Sequence, residues 1–310
     1  MVWSAWLNNV FAQERMDMVS EAVILAGGLG TRMLPASLYS AKEALPLIDT
    51  PILNHLVWEC AKANVKRVHI VLSQRKMDLL DVFLRGESLC YDEVRPDLPR
   101  DSLALGIEGM EVIPHVQLNP GGVADAISVA LENIESEFLV LLGDMLLMES
   151  HFGPSEAGPD NASGASKRLV DAFEKNGLPC VGLFEVEDEK VSKYGIVEIS
   201  DGMVLGIEEK PKKTRSNINY ALCGRYIFPK NTKMILEKFP LLEYGEMQSI
   251  FLMNYMIENG GLNGVILEGM EMYDSGDPVS WLKSQIDHGL RREGTSSELF
   301  EWLTDRLSRI

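Results

Sequence analysis

The sequence predicts an α/β fold with a doubly wound, mostly parallel sheet. Three observations lead to it. Short apolar runs at residues 22–26, 68–72 and 138–142 have the length of buried parallel strands. Helical patterns at residues 50–63 and 122–133 separate them, as crossover helices do. The first and third runs end at glycines, Gly27-Gly28 and Gly143, where a strand feeds a loop.

Each element has its own signal. Residues 22–26 (Ala-Val-Ile-Leu-Ala) are apolar on both faces. Thr50 is read as a helix cap with Pro51 at the first helical position. Residues 75–114 carry charges and prolines with weak periodicity, so they read as helical at the start and then as an insertion. Residues 151–166 are rich in Gly, Ser, Pro and Ala, and read as an exposed loop or linker. Beyond them, strands are expected at 180–186, 195–199, 204–208 and 221–228, close to turn residues, in a more antiparallel, β-rich part. Helices are expected at 232–238 and 246–259. The C-terminal helix sets Phe300, Leu303, Leu307 and Ile310 on one face, which is expected to dock on its own chain.

Residues 1–20 read as an extension. Trp3, Leu7, Val10 and Phe11 are spaced for one face of a short helix, and no basic stretch precedes a continuous apolar one, so a secretory signal is not expected. The extension is read as surface-docked or disordered, with an oligomer contact as the alternative.

Composition bounds the partners. With 29 Lys and Arg against 46 Asp and Glu, the formal charge is −17, which repels a polyanion and argues against nucleic acid. No apolar run approaches the roughly 20 residues that span a bilayer, so no membrane partner is expected. An anionic substrate would need a local cluster of cations and backbone N–H groups. Cys60, Cys90, Cys180 and Cys223 form no C-x-x-C pair. Cys60 and Cys223 sit in apolar stretches, and a cytoplasmic protein with reduced thiols is expected.

The chemistry starts at Leu25-Ala26-Gly27-Gly28-Leu29-Gly30-Thr31-Arg32. Closely spaced glycines after a buried strand let backbone N–H groups approach phosphates. Arg32 adds a rigid fork of donors, and Lys42 a flexible point charge. A dinucleotide fingerprint needs a third glycine where Met33 stands, which argues against a nicotinamide-dependent dehydrogenase and leaves it a third reading. A P-loop needs Gly-Lys-Ser/Thr where this chain has Gly30-Thr31-Arg32.

Gln117 to Ala124 (Gln-Leu-Asn-Pro-Gly-Gly-Val-Ala) places prolines and glycines ahead of a helix, allowing close backbone approach. Gly143-Asp144 ends a buried strand, where ligands of open α/β sheets bind. A carboxylate there suits Mg²⁺, a hard ion that takes oxygen ligands and substrate phosphates. A second aspartate, Asp274, stands in Met272-Tyr273-Asp274-Ser275-Gly276. Tyr194-Gly195, Glu208-Glu209-Lys210-Pro211 and Gly224-Arg225-Tyr226 follow in the β-rich half.

From residue 22 to residue 288 these segments, in this order, resemble the sugar-1-phosphate nucleotidylyltransferases. Residues 22–51 resemble the opening of that family, with Ala41-Lys42 where Pro-Lys or Ser-Lys is usual. The resemblance implies a Rossmann-like nucleotidyltransferase core of the GT-A kind. It implies that Leu25, Ala26, Gly27, Gly28, Gly30, Thr31 and Arg32 hold the nucleoside triphosphate, with Gln117 and Gly122 at the base. Catalysis is assigned to Arg32, Lys42 and Asp144, Mg²⁺ to Asp144 and Asp274, and the sugar phosphate to Gly195, Glu209 and Lys210. Gly245-Glu246-Met247-Gln248 resembles a further family segment, to which no role is assigned.

The implied organisation is an extension at 1–20, a nucleotidyltransferase domain at 21–293 and a C-terminal helix at 294–310. The nucleotide part is about 21–150 and the sugar-phosphate part about 179–293. Residues 75–114 and 151–178 match the family poorly. The expected reaction joins a nucleoside triphosphate, UTP, to a sugar 1-phosphate, glucose 1-phosphate, in a homo-oligomer (dimer or tetramer). Residues 120–126 (Pro-Gly-Gly-Val-Ala-Asp-Ala) look closer to the thymidylyl branch, and N-acetylglucosamine 1-phosphate is an alternative sugar. A non-catalytic homologue that binds nucleotide sugars is the reading of another class.

Overall fold

The computed structural model describes residues 19–77, 96–98, 107–119, 121–213, 218–238 and 249–310. Helical spacing at Trp3–Phe11, most of the 75–114 stretch and the Gly245–Gln248 segment lie outside the described residues.

The first half alternates strand and helix. Strand β1 (Glu21–Leu25) leads to the glycine loop, and two short strands, β2 (Pro46–Leu47) and β3 (Thr50–Pro51), form a small hairpin. Helix α1 (Ile52–Lys62), β4 (Arg67–Ser73), β5 (Glu111–Gln117), α2 (Val123–Ala130), β6 (Phe138–Leu142) and β7 (Met145–Met148) follow. Pro51 is the cap of α1 rather than its first residue, because Pro51 is still engaged in the β2–β3 pairing.

The second half contains α3 (Ala165–Asn176), β8 (Cys180–Val186), β9 (Gly195–Ser200), β10 (Met203–Glu209) and β11 (Asn219–Phe228). Then come α4 (Thr232–Leu236), α5 (Ser249–Glu258), β12 (Asn263–Ile266), β13 (Glu271–Asp274), α6 (Pro278–Arg291) and α7 (Ser296–Leu307).

Nine strands form one sheet in the order β5-β4-β1-β6-β11-β8-β12-β10-β9. Its two parts differ. From β5 to β6 every neighbour is parallel. Beyond β6 the directions mix, with β11 antiparallel to β6, β8 and β9, β10 antiparallel to β9 and β12, and β12 parallel to β8. The mostly parallel sheet expected from the sequence therefore holds for the first half only. The physical reason is connection length: the β9–β10 turn at Asp201-Gly202 is a hairpin, and a hairpin forces antiparallel neighbours.

Both faces are covered. Ala22 and Ile24 of β1 pack with Leu53, Trp58, Leu169 and Phe173 from α1 and α3. Val23, pointing the other way, packs with Ile127, Ile235 and Leu252 from α2, α4 and α5. Cys60 and Cys223 are fully buried, as the sequence suggested, and so is Cys180. Among the described residues no helix is long and apolar enough to cross a membrane.

Two expectations are corrected here. Residues 151–166 are not an exposed linker. Phe152, Ala157, Ala162 and Ser166 are buried, Phe152 lies against Trp58, and Lys62 donates to the carbonyls of Asp160 and Ala162. Small residues permit this close packing, while resembling a linker in composition. Helix α7 docks on α6, but among the described residues nothing covers its apolar residues Phe300 and Leu307 or Ile310 just beyond it, which are 63%, 68% and 95% exposed. It is held to α6 by other groups, with Leu299 beside Gly289 and the Thr295 hydroxyl donating to the Gly289 carbonyl.

Candidate active site

The carboxyl ends of β1 and β6 meet where glycine is required. A Cβ at Gly143 would lie 2.5 Å from the Leu25 carbonyl oxygen, and the Gly143 N–H donates to that oxygen at 2.9 Å. Only a residue without a side chain lets β6 turn this closely over β1. Asp144 is thereby delivered to the glycine loop. Lys42, on a 3₁₀ turn (Lys42–Ala44), donates to Asp144 Oδ2 in an ion pair. The Lys42 ammonium also stands over the loop, 3.8 Å from where a Cβ of Gly28 would be.

Asp274 comes to the same place by strand pairing. It lies opposite Met145 in the β7–β13 ladder, and the Ser275 N–H donates to the Asp144 carbonyl at 3.0 Å. Burial raises the Asp274 carboxyl pKa, and the negative charge of Asp144 raises it further, while the Gly276 N–H and Arg32 oppose the rise. The Gly276 N–H donates to Asp274 Oδ1 at 2.6 Å. Arg32 sits against this turn, its Nη2 2.6 Å from the position of a Cβ at Gly276. Gly30 has φ +64, a conformation that favours glycine, and starts the short turn that carries Thr31 and Arg32.

Asp144 and Asp274 form an oxygen-donor pair whose like charges disfavour each other, a disposition that a divalent cation relieves. Among the described residues no group of three or more His, Cys, Asp or Glu could hold a metal by itself. Two carboxylates plus substrate phosphates are the donor set that Mg²⁺ usually takes, so the residues present fit that ion.

Gln117 also reaches the loop, and its side-chain nitrogen lies 3.5 Å from the Gly122 carbonyl. Gln117 is buried at the end of β5, with Oε1 2.8 Å from where a Cβ of Gly27 would be. Its side-chain nitrogen donates to Asp125 Oδ2 at 2.6 Å. Gly122 has φ +97 and caps α2. Leu25 and Ala26 are engaged by the fold. The Leu25 carbonyl accepts from Gly143, the Ala26 N–H donates to the Val71 carbonyl, and the Ala26 carbonyl accepts from Lys76.

The sugar-side residues form a second group. Glu209 pairs with Gly195 across β9 and β10, and a Cβ at Gly195 would come within 3.2 Å of Glu209 Oε2. Lys210 has φ +46, pairs with Glu209 at 3.1 Å, and its N–H donates to the Tyr194 carbonyl. Burial raises the pKa of the Tyr194 hydroxyl, next to Gly195 in the chain, and the charge of Asp274 adds to the rise. A cleft of about 630 Å³ lined by Lys190, Lys193, Tyr194, Tyr273 and Asp274 opens beside them. A larger cavity of about 710 Å³ lies at the amino end of β1, lined by Glu21, Lys66 and Arg67, and holds none of these residues.

Sequence reasoning missed two residues at the loop. Glu43 is buried beside Lys42, and Lys76 joins it to the loop. The detectable signal was a cation three residues beyond a buried strand, at the start of a stretch read as helical and then as an insertion.

The sequence model of the nucleotidyl transferases matches residues 21–285. The chain belongs to the nucleotidyl transferase family. The match covers both residue groups described above. This nucleotidyl transferase is 29% identical over 300 residues to a UTP–glucose-1-phosphate uridylyltransferase of Bacillus subtilis, covering 94% of this chain and 96% of that one. It is 27% identical over 290 residues to a protein of the same name from Haemophilus influenzae, covering 90% and 96%. A UDP-glucose pyrophosphorylase from Acinetobacter baumannii has the same fold, with a TM-score of 0.77 at 24% identity over 94% of this chain and all of that one.

Proposed function

We propose that this nucleotidyl transferase moves a uridylyl group from UTP to glucose 1-phosphate, giving UDP-glucose and pyrophosphate. The observation that carries it is the convergence of Lys42, Asp144, Asp274 and Arg32 at one glycine loop. The names of the relatives in Bacillus subtilis and Haemophilus influenzae support UTP and glucose 1-phosphate as the pair.

In this reading a phosphate oxygen of the sugar 1-phosphate attacks the α-phosphorus of UTP. One P–O bond forms, the bond to the β-phosphate breaks, and pyrophosphate carries away the electron pair. The nucleophile is already an anion at neutral pH, so no protein base is needed. The obstacle is repulsion between two polyanions in a protein of net charge −17. The loop N–H groups and Arg32 hold the triphosphate, Lys42 faces the α-phosphate and pyrophosphate, and Lys210 holds the sugar phosphate. Glu209 accepts sugar hydroxyls, Gly195 lets the ring approach, and Gln117 and Gly122 meet the base. Asp144 and Asp274 would hold Mg²⁺, which when bound neutralises phosphate charge. Catalysis is then positioning and electrostatic stabilisation. A cytoplasmic location and a homo-oligomer belong to the same proposal.

A pyrophosphate-release panel tests it: UTP, dTTP, ATP, GTP and CTP, each with glucose 1-phosphate and N-acetylglucosamine 1-phosphate, with Mg²⁺ and with a chelator. UTP with glucose 1-phosphate is expected to be fastest, and to stop with the chelator. A faster dTTP reaction would move the chain to the thymidylyl branch. Release from no pair would remove the enzyme reading.

A further inference from the structure

Lys76 lies outside every motif that points to the nucleotide, yet it is as enclosed as Lys42. Their side chains are 10% and 11% exposed. Lys76 ends the 3₁₀ turn Gln74–Lys76 that follows β4. Its ammonium donates to the Ala26 carbonyl at 2.7 Å and to Glu43 Oε2 at 2.7 Å. Glu43 is 1% exposed and adjoins Lys42 on the same turn, and its other oxygen has no partner among the described residues.

Peptide planarity turns these contacts into a functional statement. In a trans peptide the C=O and the next N–H point in opposite directions. Anchoring the Ala26 carbonyl to Lys76 therefore aims the Gly27 N–H to the other side. The Ala26 N–H is already held by the Val71 carbonyl, so Ala26 is pinned at both backbone groups. A positive charge on the carbonyl also polarises that peptide, making its N–H a better donor. On its other side Lys76 holds Glu43, and with it the turn from which Lys42 projects.

We propose that Lys76 is a positioning residue of the nucleotide site: its ammonium ties the loop at Ala26 to Glu43, and so holds the Gly27 N–H and Lys42 in one fixed relation for the triphosphate. This rests on the reading that the loop takes the triphosphate. Lys76 acts through the loop and through Lys42, and does not itself touch substrate. A purely structural lysine would lower stability and leave the relative use of the two substrates unchanged.

The test uses the full chain with Lys76→Met, Lys76→Gln and Lys76→Ala. It measures KM for UTP and for glucose 1-phosphate, kcat, and the Kd of UTP alone by calorimetry. Circular dichroism checks folding. Lys76→Met is expected to raise KM and Kd for UTP about tenfold or more, the usual scale of a lost charged hydrogen bond. KM for glucose 1-phosphate should stay within about twofold. Lys76→Gln, which keeps a donor for Ala26, should lie between. Methylammonium should lower the UTP KM of Lys76→Ala and leave the wild type unchanged. Folded Lys76→Met with wild-type KM and Kd for UTP would overturn the proposal, as would an equal rise in both KM values. If Lys76→Met does not fold, Lys76→Gln and the methylammonium rescue decide by the same criteria. A wild type that binds UTP but releases no pyrophosphate would remove the proposed reaction and leave Lys76 to be judged on Kd. A wild type that binds no nucleoside triphosphate would overturn both.

Discussion

The ammonium of Lys42 is paired with the carboxylate of Asp144, 102 residues away in the chain. The residue proposed for the phosphates and the residue proposed for the metal thus hold each other at the glycine loop. Both are partly buried, at 11% and 24% side-chain exposure, so the pair is not a solvated surface contact. In the proposed reaction Lys42 would exchange this carboxylate for phosphate oxygens.

Lys42→Ala and Asp144→Ala should each lower kcat on the order of 10²–10³-fold while folding normally, the scale of losing one electrostatic stabiliser. Pyrophosphate release and thermal melts check this together. Near-wild-type turnover in either variant removes that residue from the mechanism.

Asp274→Asn should act on the cation requirement. Replacing one of two opposed carboxylates weakens the oxygen-donor pair. The Mg²⁺ concentration for half-maximal turnover is expected to rise about tenfold or more, on the scale by which altered metal shells weaken binding. A Mg²⁺ titration that overlays the wild type would take Asp274 out of the metal site.

Arg225 is fully buried and makes bidentate hydrogen bonds to Glu59 at 2.7 and 2.9 Å. It also donates to the Met145 carbonyl, next to Asp144. Arg225→Met leaves Glu59 buried without its cation, with only Ser166 donating to it. A loss of about 3–5 kcal/mol is expected, as for other broken buried pairs. Arg225→Met with Glu59→Leu should recover part of it. Urea unfolding of the two variants gives the comparison, and a single variant as stable as the wild type would contradict it.

Stability should fall on mild acidification. Burial pushes the His55 pKa down from 6.5 to about 3 and that of His288 to about 4. His288 faces His151 at 3.1 Å and Arg292, which both disfavour its charge, and Asp49 and Asp287, which oppose them. Both groups titrate lower in the folded state. Below pH 6.5 the unfolded chain binds their protons and the folded chain does not, so stability is lost as pH falls from 6.5 towards 4. Above 6.5 the two make no contribution. For His288 the loss reaches about 3 kcal/mol near pH 4. Denaturation midpoints from pH 7.5 to 4.5 should fall less steeply in His288→Gln, and equal slopes would reject the assignment.

The sequence by itself determined the family and the strands that carry it. Residues 22–26 and 138–142 are apolar on both faces, and 68–72 are so apart from His69, a pattern that suits a covered sheet, and all three form strands. The glycine loop was legible because its residue types suit phosphate, whereas Asp144 and Asp274 were singled out through the family resemblance. Tertiary structure alone decided the rest. Mixed strand direction beyond β6 depends on which strands become neighbours, and apolar spacing does not encode direction. Residues 151–166 pack inside because Phe152 lies against Trp58 and Ala157 and Ala162 join the same core, although the same composition suits a linker. The exposed face of α7 shows the converse, since a helical stripe does not specify what covers it. Lys76 and Glu43 were hidden for the same reason. Their meaning is a pair of 2.7 Å contacts between segments 33 and 50 residues apart, and local sequence carries no record of contacts formed at that range.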